Sequence, residues 1–171
     1  MSTPIVGPAV PREELFGADL RLLGDLERAE QRERGGDLFT AIRPQLRLPG
    51  DPDASPHDLQ RLEGVADLQQ ALLLRFLTQV GELAHLGHPT YGSRLHELVG
   101  ELNNEATRNR AKLYALQALL DEPRIARVRS IVVTTRSGDP TWVDVRAAVV
   151  AIDQVTELNL VFPVPLAGGA T

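Results

Sequence analysis

Three glutamates recur at four-residue intervals, at Glu97, Glu101 and Glu105. A glycoside hydrolase needs two carboxylates about 5–10 Å apart, and one of them must have a raised pKa to act as an acid. Gly100 and the asparagines after it interrupt the helical pattern between these acids, so the three need not share a face. We therefore expect no enzymatic activity. The alternative is a peptidoglycan-cleaving, lysozyme-like hydrolase that uses paired carboxylates such as Glu97 and Glu105.

Histidine and serine offer the other candidate chemistry. His85, His88 and His96 have a loosely ligand-like spacing, but glycine and proline place the first two in a loop, and no carboxylate recurs with the spacing of a metal motif. Ser93, close to His96, lacks the glycines of a nucleophile elbow. Phosphate-binding loops and dinucleotide fingerprints are absent from the sequence. We predict neither a metal site nor a cofactor.

The most informative segment is Glu122-Pro123-Arg124, which separates a helical pattern from a β-branched one. Pro123 disfavours the helical conformation at Glu122, so the helix should end there. Charge-assisted contacts of Glu122 and Arg124 with a partner protein are a hypothesis that depends on the family resemblance given below.

An arginine run follows that corner. Arg127, Arg129 and Arg136 come after Arg124 with no acid among them, inside a chain whose formal charge is −5. Two interpretations stay open: a solvated strand face, or a surface for an acidic protein partner. Arg127 and Arg129 are the candidate partner-binding residues of the run.

Composition limits the class of protein. The 171 residues are 43% hydrophobic and carry a net charge of −5, which is ordinary for a soluble single domain and argues against a nucleic-acid binder. The absence of cysteine excludes disulfides and thiol catalysis. Neither a signal peptide nor a membrane-spanning run is evident. We expect a cytoplasmic protein that does not insert into membranes, with later export in a particle left open.

Two helical patterns occupy the middle of the chain. The first starts after Gly64, the second is capped by Asn103 or Asn104 and ends before Pro123, and a short helix capped by Ser93 lies between them. The apolar face of the first helix is predicted to contain Val65, Leu68, Leu72, Leu73, Phe76, Leu77 and Val80. The buried stripe of the second is predicted to contain Ala106, Leu113, Leu116 and Leu120. Aspartate at Leu73 or Leu116 should therefore prevent folding.

The last third alternates with the period of a strand. Residues 124–136 and 141–152 are predicted to form a hairpin around a four-residue turn, with Val143, Val145, Ala147, Val149 and Ala151 on one face. A third strand at 159–166 places Leu160, Phe162, Val164 and Leu166 on one side. Since Pro163 and Pro165 cannot donate to a ladder, this strand belongs at an edge. Two interpretations stay open: the prolines only blunt that edge, or they leave one side open for strand addition by a partner. Leu160, Phe162 and Val164 are the candidate partner-binding residues of this strand.

The ends and loops complete the predicted organisation. Residues 1–14 are predicted to be a disordered or partner-ordered arm and 15–166 a single α+β domain, with a Pro-rich loop at 43–57 and a flexible tail at 167–171. Short strands are expected within 15–23 and 37–42, and a weak helix at 26–34.

The ordered series of motifs resembles the baseplate wedge proteins, or sheath initiators, of contractile tails. These occur in myophage tails, type VI secretion baseplates and extracellular contractile injection systems. The resemblance covers about residues 15–166 and rests on Phe16–Leu20, Leu68–Thr78, Gly81-Glu82, Tyr91–Leu95, Glu105–Arg108, Glu122–Arg124 and Asn159–Val161.

The resemblance implies a small α+β fold that shares strands with sheath subunits and initiates the sheath. It also implies that Glu122, Pro123 and Arg124 help to dock on the helical core bundle of the wedge. The implied partners are baseplate wedge proteins, sheath subunits and tube or spike proteins, with about six copies in each baseplate. Some relatives carry a lysozyme label, to which the carboxylates of this chain give little support.

Overall fold

The computed structural model describes residues 16–22, 40–42 and 57–167. Two α-helices, α1 (Val65–Leu77) and α2 (Glu105–Leu120), lie in the middle of the chain. Seven strands surround them in sequence: β1 (Ala18–Leu20), β2 (Thr40–Ile42), β3 (His57–Leu59), β4 (Arg61–Glu63), β5 (Ile125–Arg136), β6 (Asp139–Ala151) and β7 (Leu158–Pro165). The helices pack against one face of the sheet formed by β5, β6 and β7, which confirms the predicted α+β class.

Helix α1 is the predicted first helix, and its central apolar residues are buried. Leu68, Leu72, Leu73 and Phe76 all lie in the core, and the ring of Phe76 meets that of Phe162 on β7 at 5.3 Å. Thr78 ends the helix in an extended conformation, with its hydroxyl donating to the carbonyl of Leu74. The two ends of the predicted face are wrong. Val65 and Val80 are exposed, because Val65 is the first helical residue and Val80 lies beyond the last one.

Helix α2 begins as predicted, since the side chain of Asn104 accepts the amide of Thr107 at 2.9 Å. Its predicted buried stripe is wrong. Ala106, Leu113 and Leu120 are exposed, and Leu116 is only half-buried. The buried residues are Thr107, Ala111, Tyr114, Ala115, Ala118 and Leu119. Both sets have helical spacing, but alanines let the helix approach β5 closely, and the sequence interpretation chose the larger residues instead.

The sheet has the antiparallel order β5-β6-β7. The predicted inward residues of β6, from Val143 to Ala151, are all buried, and β7 lies at an edge as its prolines require. The turn between β5 and β6 is tighter than predicted. Arg136 pairs with Asp139, so only Ser137 and Gly138 connect the strands, and the φ of +79° at Gly138 suits glycine.

The remaining strands are short. β1 pairs with β4 and β2 with β3, which places strands within the predicted ranges 15–23 and 37–42. β3 and β4 were not predicted, because three residues are too few to show an alternating pattern. The arm at 1–14, the weak helix at 26–34 and residues 43–56 and 168–171 of the predicted loop and tail lie outside the described residues.

A loop connects the helices and folds back on the end of α1. The predicted short helix is a 3₁₀-helix at Leu95–Leu98, and the hydroxyl of Ser93 accepts the amide of Leu95 at 3.3 Å. A Cβ at Gly92, whose φ is +114°, would lie 2.7 Å from the backbone of Gln79, so this close approach requires glycine. In the described part of the chain, no helix is long and apolar enough to cross a membrane.

Candidate functional site

Glu122 lies at the corner between α2 and β5 and is almost fully buried, with 5% of its surface exposed. One carboxylate oxygen, Oε2, accepts a hydrogen bond from Nη2 of Arg75 at 3.1 Å. The other, Oε1, accepts from Nε of Arg124 at 2.6 Å and from the backbone amide of Arg124 at 3.3 Å. Both oxygens are therefore engaged within the chain.

Arg124 joins this carboxylate to the first described residues. Its Nη1 donates to the carbonyl oxygen of Phe16 at 2.9 Å and lies 3.5 Å from Oδ2 of Asp67 on α1. The residues between Phe16 and Arg124 include both helices, so these contacts close a long segment of chain. We call Asp67, Arg75, Tyr91, Glu122 and Arg124 the corner cluster.

Arg75 and Tyr91 complete the corner cluster. The guanidinium carbon of Arg75 lies 4.5 Å from the centre of the Tyr91 ring, and the Tyr91 hydroxyl donates to the carbonyl of Ala71. The Nε of Arg75 is buried and has no hydrogen-bond partner among the described residues. A buried guanidinium in this position depends on the Glu122 carboxylate and on the aromatic face for its stability.

The electrostatics of the two acids differ. Burial by itself raises the pKa of Glu122, but hydrogen bonds and Coulombic attraction from Arg124, with a hydrogen bond from Arg75, bring this pKa below its ordinary value. The pKa of Asp67 is raised, chiefly because burial outweighs the attraction of Arg124. Glu122 is therefore the anion that the cluster stabilises most.

The predicted partner contacts of the acid–proline–arginine corner must be revised in part. Glu122 is not available to a partner in this arrangement, because its oxygens are bound by Arg75 and Arg124. Pro123 is exposed and Arg124 is 24% exposed along its side chain, so a partner contact through these two stays a prediction.

Sequence reasoning missed Asp67, Arg75 and Tyr91 as members of the cluster. One signal was present for Arg75. It is the only charged residue in the run from Ala71 to Leu77, where a buried carboxylate partner would be expected.

The arginine run of β5 divides into separate environments. Arg127 and Arg129 are exposed, and Nε of Arg129 lies 3.5 Å from Oε1 of Glu157. Arg127 forms no ion pair with any residue that the structure describes. Arg136, in contrast, is bound to the largely buried Asp144 at 2.6 Å. Only Arg127 and Arg129 are therefore displayed, and their predicted role in partner binding remains a prediction.

Two of the three glutamates considered for catalysis are bound to arginines, and the third, Glu105, is exposed in the first turn of α2. Glu97 accepts two hydrogen bonds from Arg94, at 2.8 and 2.9 Å, and one from the Tyr114 hydroxyl at 3.1 Å. The hydrogen bond from Arg94 is the main reason that the pKa of Glu97 is lowered, the opposite of what a general acid needs. Glu101 forms an ion pair with Arg110 on α2. Among the described residues, no group of three histidines and carboxylates could hold a metal ion.

Strand β7 exposes an edge that no described strand covers. Its predicted partner-binding residues Leu160, Phe162 and Val164 have largely buried side chains, although those of Phe162 and Val164 line a groove at the surface. The backbone of β7 offers a second kind of contact. The backbone amide of Leu166, just after β7, donates to the carbonyl oxygen of Thr141 on β6 at 2.6 Å.

Alternation along an antiparallel strand fixes which backbone groups face outward. Because Leu166 faces β6, the backbones of Asn159, Val161, Pro163 and Pro165 face away from it. Ala167, with the same orientation, donates to the carbonyl of Glu101 and closes that end of the edge.

An apolar groove runs beside the proline end of this edge, with a volume of about 450 Å³. We call it the β7 groove. It is lined by Phe76, Leu77, Leu95, His96, Val99, Trp142, Phe162, Pro163, Val164 and Pro165. The open strand edge and the groove are thus adjacent parts of one surface.

A comparison with solved structures identifies a shared fold. The chain is similar to a protein from Geobacter sulfurreducens, described as a "putative tail lysozyme", whose crystal structure was solved at 1.44 Å. The TM-score is 0.52 at 24% sequence identity, and the match covers 62% of this chain and 94% of that one. The likeness is one of fold.

Comparisons by sequence give a different result. No family model matches the chain. No curated protein matches it either. The likeness in fold to the Geobacter sulfurreducens protein is therefore a comparison on which a functional proposal can draw.

Proposed function

We propose that this chain is a structural component of the baseplate of a contractile, phage tail-like injection machine. It would bridge the wedge and the inner tube or spike to the sheath and initiate sheath assembly. Its partners would be baseplate wedge proteins, sheath subunits and tube or spike proteins, with about six copies per baseplate. We propose neither a nucleic-acid partner nor membrane insertion. The chain would be cytoplasmic during assembly and then part of the particle.

The observation that carries this proposal is the uncovered edge of β7, in a fold shared with a protein that is named for a tail. The outward amides of Asn159 and Val161 offer donors to an added strand. A sheath subunit that extended the sheet β5-β6-β7 would place the next ring in a defined register. An initiator needs such a template.

The corner cluster supports the same proposal in a different way. The contact between Glu122 and Arg124 bridges the corner between α2 and β5, where Pro123 and part of Arg124 are exposed. We propose that the wedge core binds there, with Arg127 and Arg129 on the neighbouring strand. Glu122 would act indirectly, by holding Arg124.

Co-purification tests the proposal. The tagged chain is expressed with the wedge, tube and sheath proteins encoded beside it, and the recovered proteins are identified by mass spectrometry. We expect wedge and sheath subunits to be recovered, and wedge recovery to fall with Arg124→Ala. Recovery of the chain alone would contradict the proposal. Glu97→Ala is the matched control, because it removes an exposed ion pair away from the corner.

The second candidate is a peptidoglycan hydrolase, favoured by the word lysozyme in the name of the Geobacter sulfurreducens protein. The lowered pKa of Glu97 opposes it, and we propose that the chain is not an enzyme. The purified chain should release no soluble peptidoglycan fragments above the level of a Glu97→Gln, Glu105→Gln variant. If the original chain released soluble peptidoglycan fragments and the double variant did not, the hydrolase would be favoured.

A further inference from the structure

The outer edge of β7 consists of two halves with different chemistry. In the first half, Asn159 and Val161 turn amide N–H groups outward. In the second half, Pro163 and Pro165 occupy the outward positions and have no N–H to donate. An added strand therefore gains hydrogen-bond donors from the first half only. Along the second half, only the outward carbonyl oxygens of Pro163 and Pro165 remain for backbone hydrogen bonds, so any further binding there must come from side chains.

The β7 groove lies beside that second half. Carbon-rich side chains form most of its lining, among them Leu77, Val99 and Trp142. The Nδ1 of His96 lies 3.0 Å from the carbonyl oxygen of Ser93, so one of its ring nitrogens is already engaged. A charged side chain entering this groove would lose water without gaining an ionic partner from the lining residues.

We infer that the β7 groove is a side-chain pocket that selects an extended partner segment by one large apolar residue. Backbone hydrogen bonds at Asn159 and Val161 bind the segment, and burial of a leucine-, phenylalanine- or methionine-sized side chain beside Pro163 and Pro165 sets its register. The volume of about 450 Å³ lies within the range of roughly 300–1,000 Å³ common for ligand pockets. The inference rests on the proposed function only for naming the sheath subunit as the partner.

The chain carries its own reporter for this pocket. Trp142 is the single tryptophan of the sequence, and it lines the groove. An apolar side chain that enters should displace water from the indole and shift its fluorescence emission. The signal would therefore report on the groove itself and not on binding elsewhere.

The experiment titrates the full chain with overlapping fifteen-residue peptides that span the sheath subunit, each fluorescently labelled and with any tryptophan replaced by phenylalanine. Peptide anisotropy measures binding, and unlabelled peptides are used for Trp142 emission. We expect one window to bind and to shift the emission to the blue. Replacing its large apolar residue by alanine should weaken binding about ten- to hundred-fold and remove the shift.

A matched pair of variants separates the groove from general surface hydrophobicity. Val99→Glu places a charge in the groove at a side chain that is 57% exposed, so the fold should tolerate it. Leu86→Glu makes the same kind of change at an exposed residue outside the groove lining. Binding should fall by at least about ten-fold in the first variant and stay unchanged in the second.

Each other outcome overturns the inference in a distinguishable way. Binding that leaves Trp142 emission unchanged and is equal for Val99→Glu would show that the groove is not used. Capture of the intact sheath subunit without any binding peptide would reject the extended-segment mode while the proposed function stands. If neither peptides nor the intact subunit bind, the inference and the sheath-initiation part of the proposed function fail together.

Discussion

The corner cluster and the β7 edge lie on the same sheet and differ in how far their polar groups are paired within the chain. In the cluster, two buried carboxylates bind the buried guanidinium of Arg75 and the partly exposed one of Arg124. At the edge, backbone groups and an apolar groove have no partner strand among the described residues. The more conspicuous charged motif contributes to the fold, whereas the less conspicuous strand has one edge that no described strand pairs with.

The largest expected effect on stability is at helix α2, where adjacent residues test which face of the helix is buried. Leu119 is fully buried and its neighbour Leu120 is 65% exposed. Leu119→Asp should abolish cooperative unfolding, because it buries a charge without a partner. Leu120→Asp should melt like the original chain in circular dichroism. A folded Leu119→Asp protein would show that the helix packs by another face.

Loss of the buried carboxylate should be the next largest effect. Glu122→Ala leaves the buried Arg75 without its anion and removes one of the two carboxylates that Arg124 contacts, so the free energy of unfolding should fall by about 3–5 kcal/mol. Urea titration followed by circular dichroism measures the change. Arg129→Ala, which removes an exposed ion pair with Glu157, is the control and should cost about 1 kcal/mol or less. If both variants lowered the free energy of unfolding equally, the buried ion pairs of the corner cluster would stabilise the fold no more than an exposed ion pair does.

The stability contributed by the ionised Glu122 should also depend on pH. The pKa of Glu122 in the folded chain lies below its ordinary value of 4.5, so its stabilisation is present above pH 4.5 and is lost as pH falls through the lower, folded value. The stability difference between the chain and Glu122→Gln should therefore be largest near pH 6 and shrink below pH 4.5. Urea titrations at several pH values measure it. A difference that grows on acidification would contradict the assignment.

The smallest effect on stability is expected at the edge. Val161→Pro removes an outward amide that β6 does not use, so the melting temperature should change little. Binding of the sheath subunit should nevertheless weaken by roughly ten-fold, through the lost hydrogen bond and the blocked approach. Thermal melts and binding titrations compare the two. Stability lost together with binding would indicate that the amide has an internal role.

Sequence patterns predicted most of the fold because its long elements have strong periodicity. The first helix, the Asn104 cap, the end of α2 before Pro123 and the alternation of β6 and β7 all depend on local chemistry. The face of α2 could not be predicted in this way, since Ala111, Ala115 and Ala118 share the helical period of the larger leucines. Helix packing, which no local pattern reports, decided between them.

The candidate sites were predictable to a smaller extent. The edge position of β7 followed from Pro163 and Pro165, but the groove beside it combines residues from α1, the loop after it and two strands. The partners of Glu122 are likewise far away, since Arg75 is 47 residues earlier in the chain. Such contacts exist only in the folded chain, and so Glu122 was interpreted as a partner-binding residue when it is an internal one.

Hydrogen exchange at the outward amides of Asn159 and Val161 is the most direct test of strand addition at β7. The full chain is measured by nuclear magnetic resonance, alone and bound to the sheath subunit, with Phe162 and Val164 as internal references because their amides face β6. If a sheath strand adds to β7, Asn159 and Val161 should exchange rapidly in the free chain and become protected in the complex. Unchanged exchange at both amides in a complex that has formed would contradict strand addition at β7.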